Sequence, residues 1–324
     1  MKLTTLTSIV ALTLTAGLAN AANWTGYTYS AVSTTAAVKG MNRISERVAE
    51  ETDGELEITI HLGKTLQIAS SDITQAVGDG IVDFAADFFF SGNVPIARVL
   101  SLPMLIENDE EWDAAYAAME PILTEAFAEQ GVTLLGGYRY PQQVLFTTFE
   151  IDSLDDLSGH KIRVTSPEQG QFVEEFAGAP ITLSGSEVPT SLERGVIDGV
   201  LTASAGGAKN WHEFLPYNYR FAVNYGNSMI IANTDSFDAL SAEDQQALQD
   251  IVTEEGASIT AEFLEDEEAQ KAAQAESGMT ITEAAEGDAE AAREKLAPFW
   301  ESWASENGPE YEEALALVRE AIGK

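Results

Sequence analysis

Arg163 lies in the stretch SGHKIRVTSPEQG, residues 158–170, a buried-strand pattern running into a helix, in a chain with 17 Lys+Arg against 53 Asp+Glu. Strand alternation sets Ile162 and Val164 on one face and Lys161 and Arg163 on the other. Thr165-Ser166-Pro167 reads as a helix start directly after the strand. Such a start presents free N–H groups and the positive end of the helix dipole, which favours an anion nearby. A guanidinium beside it could grip a carboxylate through two parallel hydrogen bonds, a geometry that Lys cannot reproduce. Spacing alone leaves a second reading open, a structural ion pair with one of the many carboxylates.

Other chemistry finds little support. Of the three histidines, His61, His160 and His212, none forms H-E-x-x-H or another close metal-ligand spacing. The chain has neither a G-x-S-x-G elbow nor a G-x-x-x-x-G-K-[ST] loop. It has no cysteine, which excludes disulfides and thiolate metal sites. No D-x-[DN]-x-[DN]-G calcium loop occurs. The expectation is a protein that is not an enzyme and carries neither metal nor cofactor. A formal net charge of −36 would repel nucleic acid and anionic membrane surfaces, and suits solubility in high salt. The acidic clusters ENDEEWD (107–113) and EFLEDEEAQ (262–270) read as solvated helix faces.

The elements that position Arg163 follow from periodicity. Lys2, an apolar run from Leu3 to Leu18, and Ala19-Asn20-Ala21 form a signal-peptide pattern over residues 1–21, so export is expected. A strand near 25–29 then precedes a helix carrying Val38, Met41, Ile44 and Val48, and Leu56, Ile58 and Ile60 alternate along a second strand. DITQAVGDG reads as a helix, Phe84 to Phe90 as a strand, residues 110–129 as a long helix and VTLLGGYRY as the next strand. VLFTTFEI and HKIRV are further strands, with a helix from Pro167. PITLSGSEVPTSLERGVIDGVL repeats strand, helix, strand. After the extended YRFAVNYGNSMIIAN the chain is nearly all helical, with one long helix from Ala242 to about Ala275. Repeated βα units predict an α/β fold with parallel strands, whose ligand crevice lies at their carboxyl ends.

Three segments, IDSLDDLSGHKIRVTS, AGAPITLSGSEVPTSLERGVIDGVL and FDALSAEDQQALQDIV, resemble the solute-binding subunits of TRAP (tripartite ATP-independent periplasmic) transporters, the DctP-like family. ETDGELEITIHLGKTL and DITQAVGDGIVDFA echo it upstream. The resemblance implies a two-lobed α/β periplasmic binding protein with interlobe crossovers and a long lobe-spanning helix. Lobe I would comprise residues 22–142 plus about 223–262, and lobe II residues 143–222 plus about 263–324. The function implied is capture of a small organic acid by hinge closure, and delivery to a membrane permease driven by an ion gradient. The protein would act as a monomer in the periplasm.

In that family the arginine of the K-I-R-V strand salt-bridges the ligand carboxylate, and Arg163 is the residue matching it. Two departures qualify the substrate. Gln143 stands where sialic-acid-type members have a second arginine, and Val200-Leu201-Thr202-Ala203 follows Asp198-Gly199 in place of Glu-Asn-Pro. Both weaken a sugar acid or dicarboxylate. The expected site draws Tyr140, Gln142 and Gln143 from one strand end, and Thr202, Ser204 and Trp211 from the segment after Gly199. Across the cleft stand Tyr29, Ser30, Asp87, Phe88 and Phe89. Packing readings remain beside these: Trp211 as a helix-packing aromatic, the Phe88-Phe89-Phe90 run as half core, Tyr29 as a core cover, Asp87 as a strand-end cap. If Asp87 instead faces the cleft among aromatics, it would suit a small amine or amino alcohol such as ethanolamine, through charge pairing and cation–π attraction.

Overall fold

The computed structural model describes residues 21–285 and 287–324; the expected signal peptide, apart from Ala21, lies outside them. The strands are β1 (Ala22–Thr28), β2 (Leu56–His61), β3 (Phe84–Asp87), β4 (Val132–Thr147), β5 (Lys161–Val164), β6 (Ala179–Thr182), β7 (Gly199–Thr202), β8 (Tyr217–Asn233) and β9 (Thr280–Glu283). The helices are α1 (Ala36–Glu51), α2 (Ile73–Gly78), α3 (Asp109–Ala128), α4 (Pro167–Glu175), α5 (Val188–Glu193), α6 (Lys209–Trp211), α7 (Thr234–Asp238), α8 (Ala242–Glu276), α9 (Asp288–Asn307) and α10 (Pro309–Ile322).

One sheet runs through both lobes in the order β2-β1-β3-β8-β4-β7-β5-β6, with β9 added beside β8. The expected βα units give parallel pairs within each lobe, β1 with β2 and β3, and β5 with β6 and β7. The crossover strands β4 and β8 run antiparallel to each other, β4 also to β7 and β8 also to β3, which corrects the expectation of parallel strands throughout, while β9 joins β8 in parallel. VTLLGGYRY and VLFTT, read as parts of two strands, form the single strand β4. Its residues 132–139 pair with the far end of β8 and residues 142–147 with the near end. The register shifts between Arg139 and Gln142, around Pro141. Proline has no N–H to give a ladder, so a bulge is where a long strand can hold one. The bulge lies at the crossing between lobes.

In lobe I the sheet is covered on both faces. Met41, Ile44 and Val48 of α1 and Ile251, Val252 and Ile259 of α8 pack on Ile58, Phe84 and Ile230. On the other face Val77 of α2 and Met119, Leu123 and Phe127 of α3 pack on Val132 and Ile231. Burial on both faces explains why β3 is buried throughout and runs Phe-Ala-Ala before Asp87 rather than alternating. In lobe II Phe172 and Val173 of α4 cover Ile162 and Val164, while Val188 and Leu192 of α5 cover Phe146 and Val200.

Helix α8 is 35 residues long and spans both lobes. At Gly256 it approaches β4 so closely that a Cβ would sit 2.4 Å from the Gly137 carbonyl oxygen. Farther along, Glu267 accepts a hydrogen bond from the Ala205 amide (2.8 Å) of the segment that follows β7. The C-terminal helices, expected with lobe II, make contacts on two sides: α9 packs against α4, where the Lys295 ammonium reaches the Glu175 carbonyl, and α10 packs elsewhere. The apolar face of α10 (Ala314, Leu315, Val318) packs against α3 and the 3-10 turn at residues 95–101. Trp300 of α9 donates to the Pro103 carbonyl (2.9 Å), and the Lys324 ammonium reaches Glu107 (2.8 Å) and Glu111 (2.9 Å). An amphipathic helix goes where its apolar stripe can be buried, and chain order does not specify that place. No helix among the described residues is long and apolar enough to cross a membrane.

Candidate functional site

Between the lobes, at the carboxyl ends of β1, β5 and β7, opens a cavity of about 890 Å³. Such a volume suits a small molecule. Of the expected residues, Tyr29, Ser30, Phe88, Tyr140, Gln143, Arg163, Thr202 and Trp211 line it, as does Phe89.

The first wall is aromatic. Tyr29 follows β1, Phe88 and Phe89 follow β3, Tyr140 sits at the crossover bulge, and Phe263 projects from α8. The Phe88 ring stands 5.6 Å from that of Tyr29 and 5.3 Å from that of Tyr140, edge-on to the latter, and Phe263 lies 4.4 Å from Tyr140. The Tyr29 and Tyr140 hydroxyls are hydrogen-bonded to one another, and burial raises both phenols well above their ordinary range.

Asp87 belongs behind this wall and not on it, a correction to the cleft-facing reading. It is fully buried. Its Oδ2 accepts from the Thr74 amide (3.1 Å) and hydroxyl (2.7 Å), and Oδ1 accepts from the Phe89 amide (2.7 Å). Asp87 thus ties the first turn of α2 to the backbone that carries Phe88 and Phe89, and it ends β3 there. Burial pushes its carboxyl up to about 6 against the opposing effect of these hydrogen bonds. No carboxylate lines the cavity among the described residues, so the amine reading loses its counter-charge. Gln142 is also displaced from the expected site. Its side chain donates to the Glu107 carbonyl (2.6 Å), because the shift of register at Pro141 sends it toward α3 while Gln143 stays on the cavity.

The second wall is polar and carries Arg163, which is only 4% exposed. Its Nε donates to the Leu183 carbonyl (2.9 Å), and its Cζ lies 5.5 Å from the centroid of the Trp211 ring. Arg98, Arg139 and Arg220 each pair with an acid, Glu168, Asp109 and Glu267. Arg163 has no acid partner among the described residues, and burial alone lowers its pKa to about 10, which leaves it charged at neutral pH.

Glycine shapes the Trp211 contact: a Cβ at Gly207 would lie 2.0 Å from the indole ring. Thr202 Oγ1 accepts from the Gly207 amide (2.9 Å), fixing that turn. Ser204, expected at the ligand, instead receives Arg220 (3.0 Å) and is buried behind the cavity. Thr165 lines the cavity with its amide and hydroxyl both given to Gln169 Oε1 (2.8 and 3.0 Å).

Sequence reasoning missed Phe263, Thr165, Ser184 and Lys64, all on the cavity. Phe263 and Glu267 sit inside EFLEDEEAQ, expected to be solvated, yet both are buried. The available signal was a lone phenylalanine in that acidic stretch.

The family model for bacterial extracellular solute-binding protein, family 7 (DctP), matches residues 27–307. The ectoine-binding periplasmic protein TeaA of Halomonas elongata is 29% identical over 56% of this chain and 55% of its own. A solute-binding protein of Chromohalobacter salexigens is 25% identical over 87% of this chain and 85% of its own. Among solved structures, the Bordetella pertussis solute receptor DctP7, which binds pyroglutamic acid, superposes with a TM-score of 0.85. It is 23% identical, covering 92% of this chain and 100% of that one. A Chromohalobacter salexigens TRAP solute-binding protein with bound D-glucuronate gives 0.83 at 24% identity, covering 92% of this chain and 99% of that one. At these identities the two structures speak for the two-lobed fold, and the family match speaks for solute binding. The chain belongs to family 7 of the bacterial extracellular solute-binding proteins, the DctP family.

Proposed function

We propose that the protein captures a small organic acid in the interlobe cavity, with Arg163 holding its carboxylate, and hands it to a membrane permease driven by an ion gradient. The observation that carries this is Arg163 itself, a buried guanidinium facing the cavity with no acid partner among the described residues. A buried charge is costly until an opposite charge and hydrogen bonds meet it, and a ligand carboxylate would supply both. Gln143 and Thr202 offer neutral hydrogen-bonding groups beside it, and Trp211 with the aromatic wall offers flat apolar faces. Acids are bound by structurally similar proteins, pyroglutamic acid by DctP7 and D-glucuronate by the Chromohalobacter salexigens protein.

The mechanism is hinge closure. Ligand contacts from both lobes favour the closed form by their differential affinity for it. The bulge at Pro141, where β4 crosses between lobes, is the place for the chain to bend. The protein would be exported through residues 1–21, work in the periplasm as a monomer, and perform no chemistry on its cargo.

A thermal-shift screen of small acids, amines and amino alcohols against the mature chain tests the proposal. Acids should stabilise it, by about 2.7 kcal/mol at a hundred times the dissociation constant. Stabilisation by amines alone would overturn the acid reading.

A further inference from the structure

The cavity wall holds a second cation. Lys64 lines it on the side of Tyr27, Tyr29 and Ser30, whereas Arg163 comes from β5 in the other lobe. No Asp or Glu lines the cavity among the described residues, in a chain with 53 of them. The turn that presents Lys64 is closely built. Lys64 itself has a φ of 71°, a backbone conformation that side-chain-bearing residues rarely adopt. Its amide donates to the Tyr27 hydroxyl (3.2 Å), and the Gly63 amide donates to the Ser30 carbonyl (2.8 Å). A Cβ at Gly63 would lie 2.1 Å from the Tyr29 carbonyl oxygen, so the turn sits directly on the chain leaving β1. The Thr65 hydroxyl closes it onto the Leu62 carbonyl (2.6 Å).

The ammonium at the end of this turn has no acceptor among the described residues. Lys161, Lys209, Lys271, Lys295 and Lys324 each bond a carbonyl or carboxylate. Lys39 on α1 is likewise without one, but it stands outside the cavity wall. We propose that Lys64 is a specificity-determining residue of the first lobe. Its ammonium would take a second oxygen acceptor of the ligand, an oxo, hydroxyl or anionic group opposite the carboxylate held by Arg163. This rests on the carboxylate reading of Arg163 and adds to it the class of ligand: an oxygen-bearing acid gripped by one cation from each lobe. Two cations in an acid-free cleft also create a locally positive region in a molecule of net charge −36, which favours entry of an anion.

Calorimetric titration tests this with acids matched in ring size, in which the oxygen-bearing member is a heterocycle with distal oxygens and its partner a plain carbocycle: pyroglutamate against cyclopentanecarboxylate, and D-glucuronate against cyclohexanecarboxylate. In the unaltered protein at least one oxygen-bearing member should bind more tightly than its partner. Lys64→Gln should lower that member's affinity about tenfold or more while moving the plain ring acid less than about twofold, and Lys64→Arg should restore most of the loss. Equal effects on both members, no effect on either, or failure of both oxygen-bearing acids to bind would each overturn the proposal. Arg163→Gln separates the two ideas, because it should weaken every acid that binds. If it weakened none, the carboxylate reading itself would fall, whatever Lys64→Gln did. The side chain of Lys64 is exposed, so its variants should keep the unfolding temperature of the parent.

Discussion

The two walls of the cavity treat their buried ionisable groups in opposite ways. Behind the first wall Asp87 receives three hydrogen bonds, all from its own neighbourhood, and shows nothing to the cavity. On the second wall Arg163, about as deeply buried, gives one hydrogen bond to a carbonyl and lies against a ring. The first arrangement fixes a wall in place. The second leaves binding capacity unused, and a third group shows that the difference is not one of burial: Arg139 is 7% exposed against 4% for Arg163, yet it pairs with Asp109 and lies 4.8 Å from the centroid of the Tyr225 ring. The Tyr225 hydroxyl also donates to Asp109 (2.7 Å), and the hydrogen bond from Arg139 holds the Asp109 carboxyl below its ordinary range. Within one fold, then, one buried guanidinium is paired with an acid and another faces the cavity without one among the described residues.

The largest effect should come from removing the Arg163 guanidinium. Arg163→Ala should cost about 2–5 kcal/mol of binding free energy for the true acid, roughly 30-fold or more in dissociation constant by calorimetry. Unchanged affinity would mean that the carboxylate binds elsewhere.

Next in size is the pH response of the satisfied carboxylate. Asp87 has its folded pKa raised to about 6 from 3.8, so folding favours the protonated form. Its contribution to stability is full below about pH 4 and is lost as pH rises through about 6. Denaturant titrations of the parent relative to Asp87→Asn should therefore show the parent losing roughly 2–3 kcal/mol between about pH 4 and pH 7. A flat difference would show that the hydrogen bonds from Thr74 and Phe89 offset the burial.

A smaller effect separates the two arginines without any ligand. Arg139→Met removes a partner from Asp109 and Tyr225 and should destabilise the chain by about 1–2 kcal/mol, a figure reduced because Asp109 is half exposed. Arg163→Met removes a buried charge with no acid partner and should leave the ligand-free protein as stable as before, or more so. If both variants lost the same stability in chemical denaturation, the contrast between the sites would be void.

The smallest effect lies on the aromatic wall. Phe88→Leu keeps an apolar side chain but loses the edge-on contact with Tyr140, and should weaken ligand binding by about 0.5–1.5 kcal/mol. A loss as large as that of Arg163→Ala would place the dominant contact on the first wall.

The place of Arg163 at a strand end before a helix start was legible because strand alternation and helix caps are local. The same holds for α1, for the length of α8 and for the βα units of each lobe. The continuity of β4 was hidden, since Pro141 falls between VTLLGGYRY and VLFTT, and only its pairing with β8 carries the strand through. The direction of Asp87 was hidden for another reason: β3 is buried on both faces, so alternation does not say which face meets the cavity. Phe263 and Lys64 reach the cavity through a helix crossing and a left-handed turn, neither of which leaves a periodic signal.

The sequence by itself determined the inventory of this protein: the local elements, the surplus of acid, and a scarce arginine at a strand end. Only the tertiary structure decided which of the buried charges are already answered. Pairing between residues as far apart as Arg139 and Asp109, or Asp87 and Thr74, depends on how sheets and helices pack. Arg163 is left by that packing without an acid partner among the described residues, and the proposed carboxylate site rests on it.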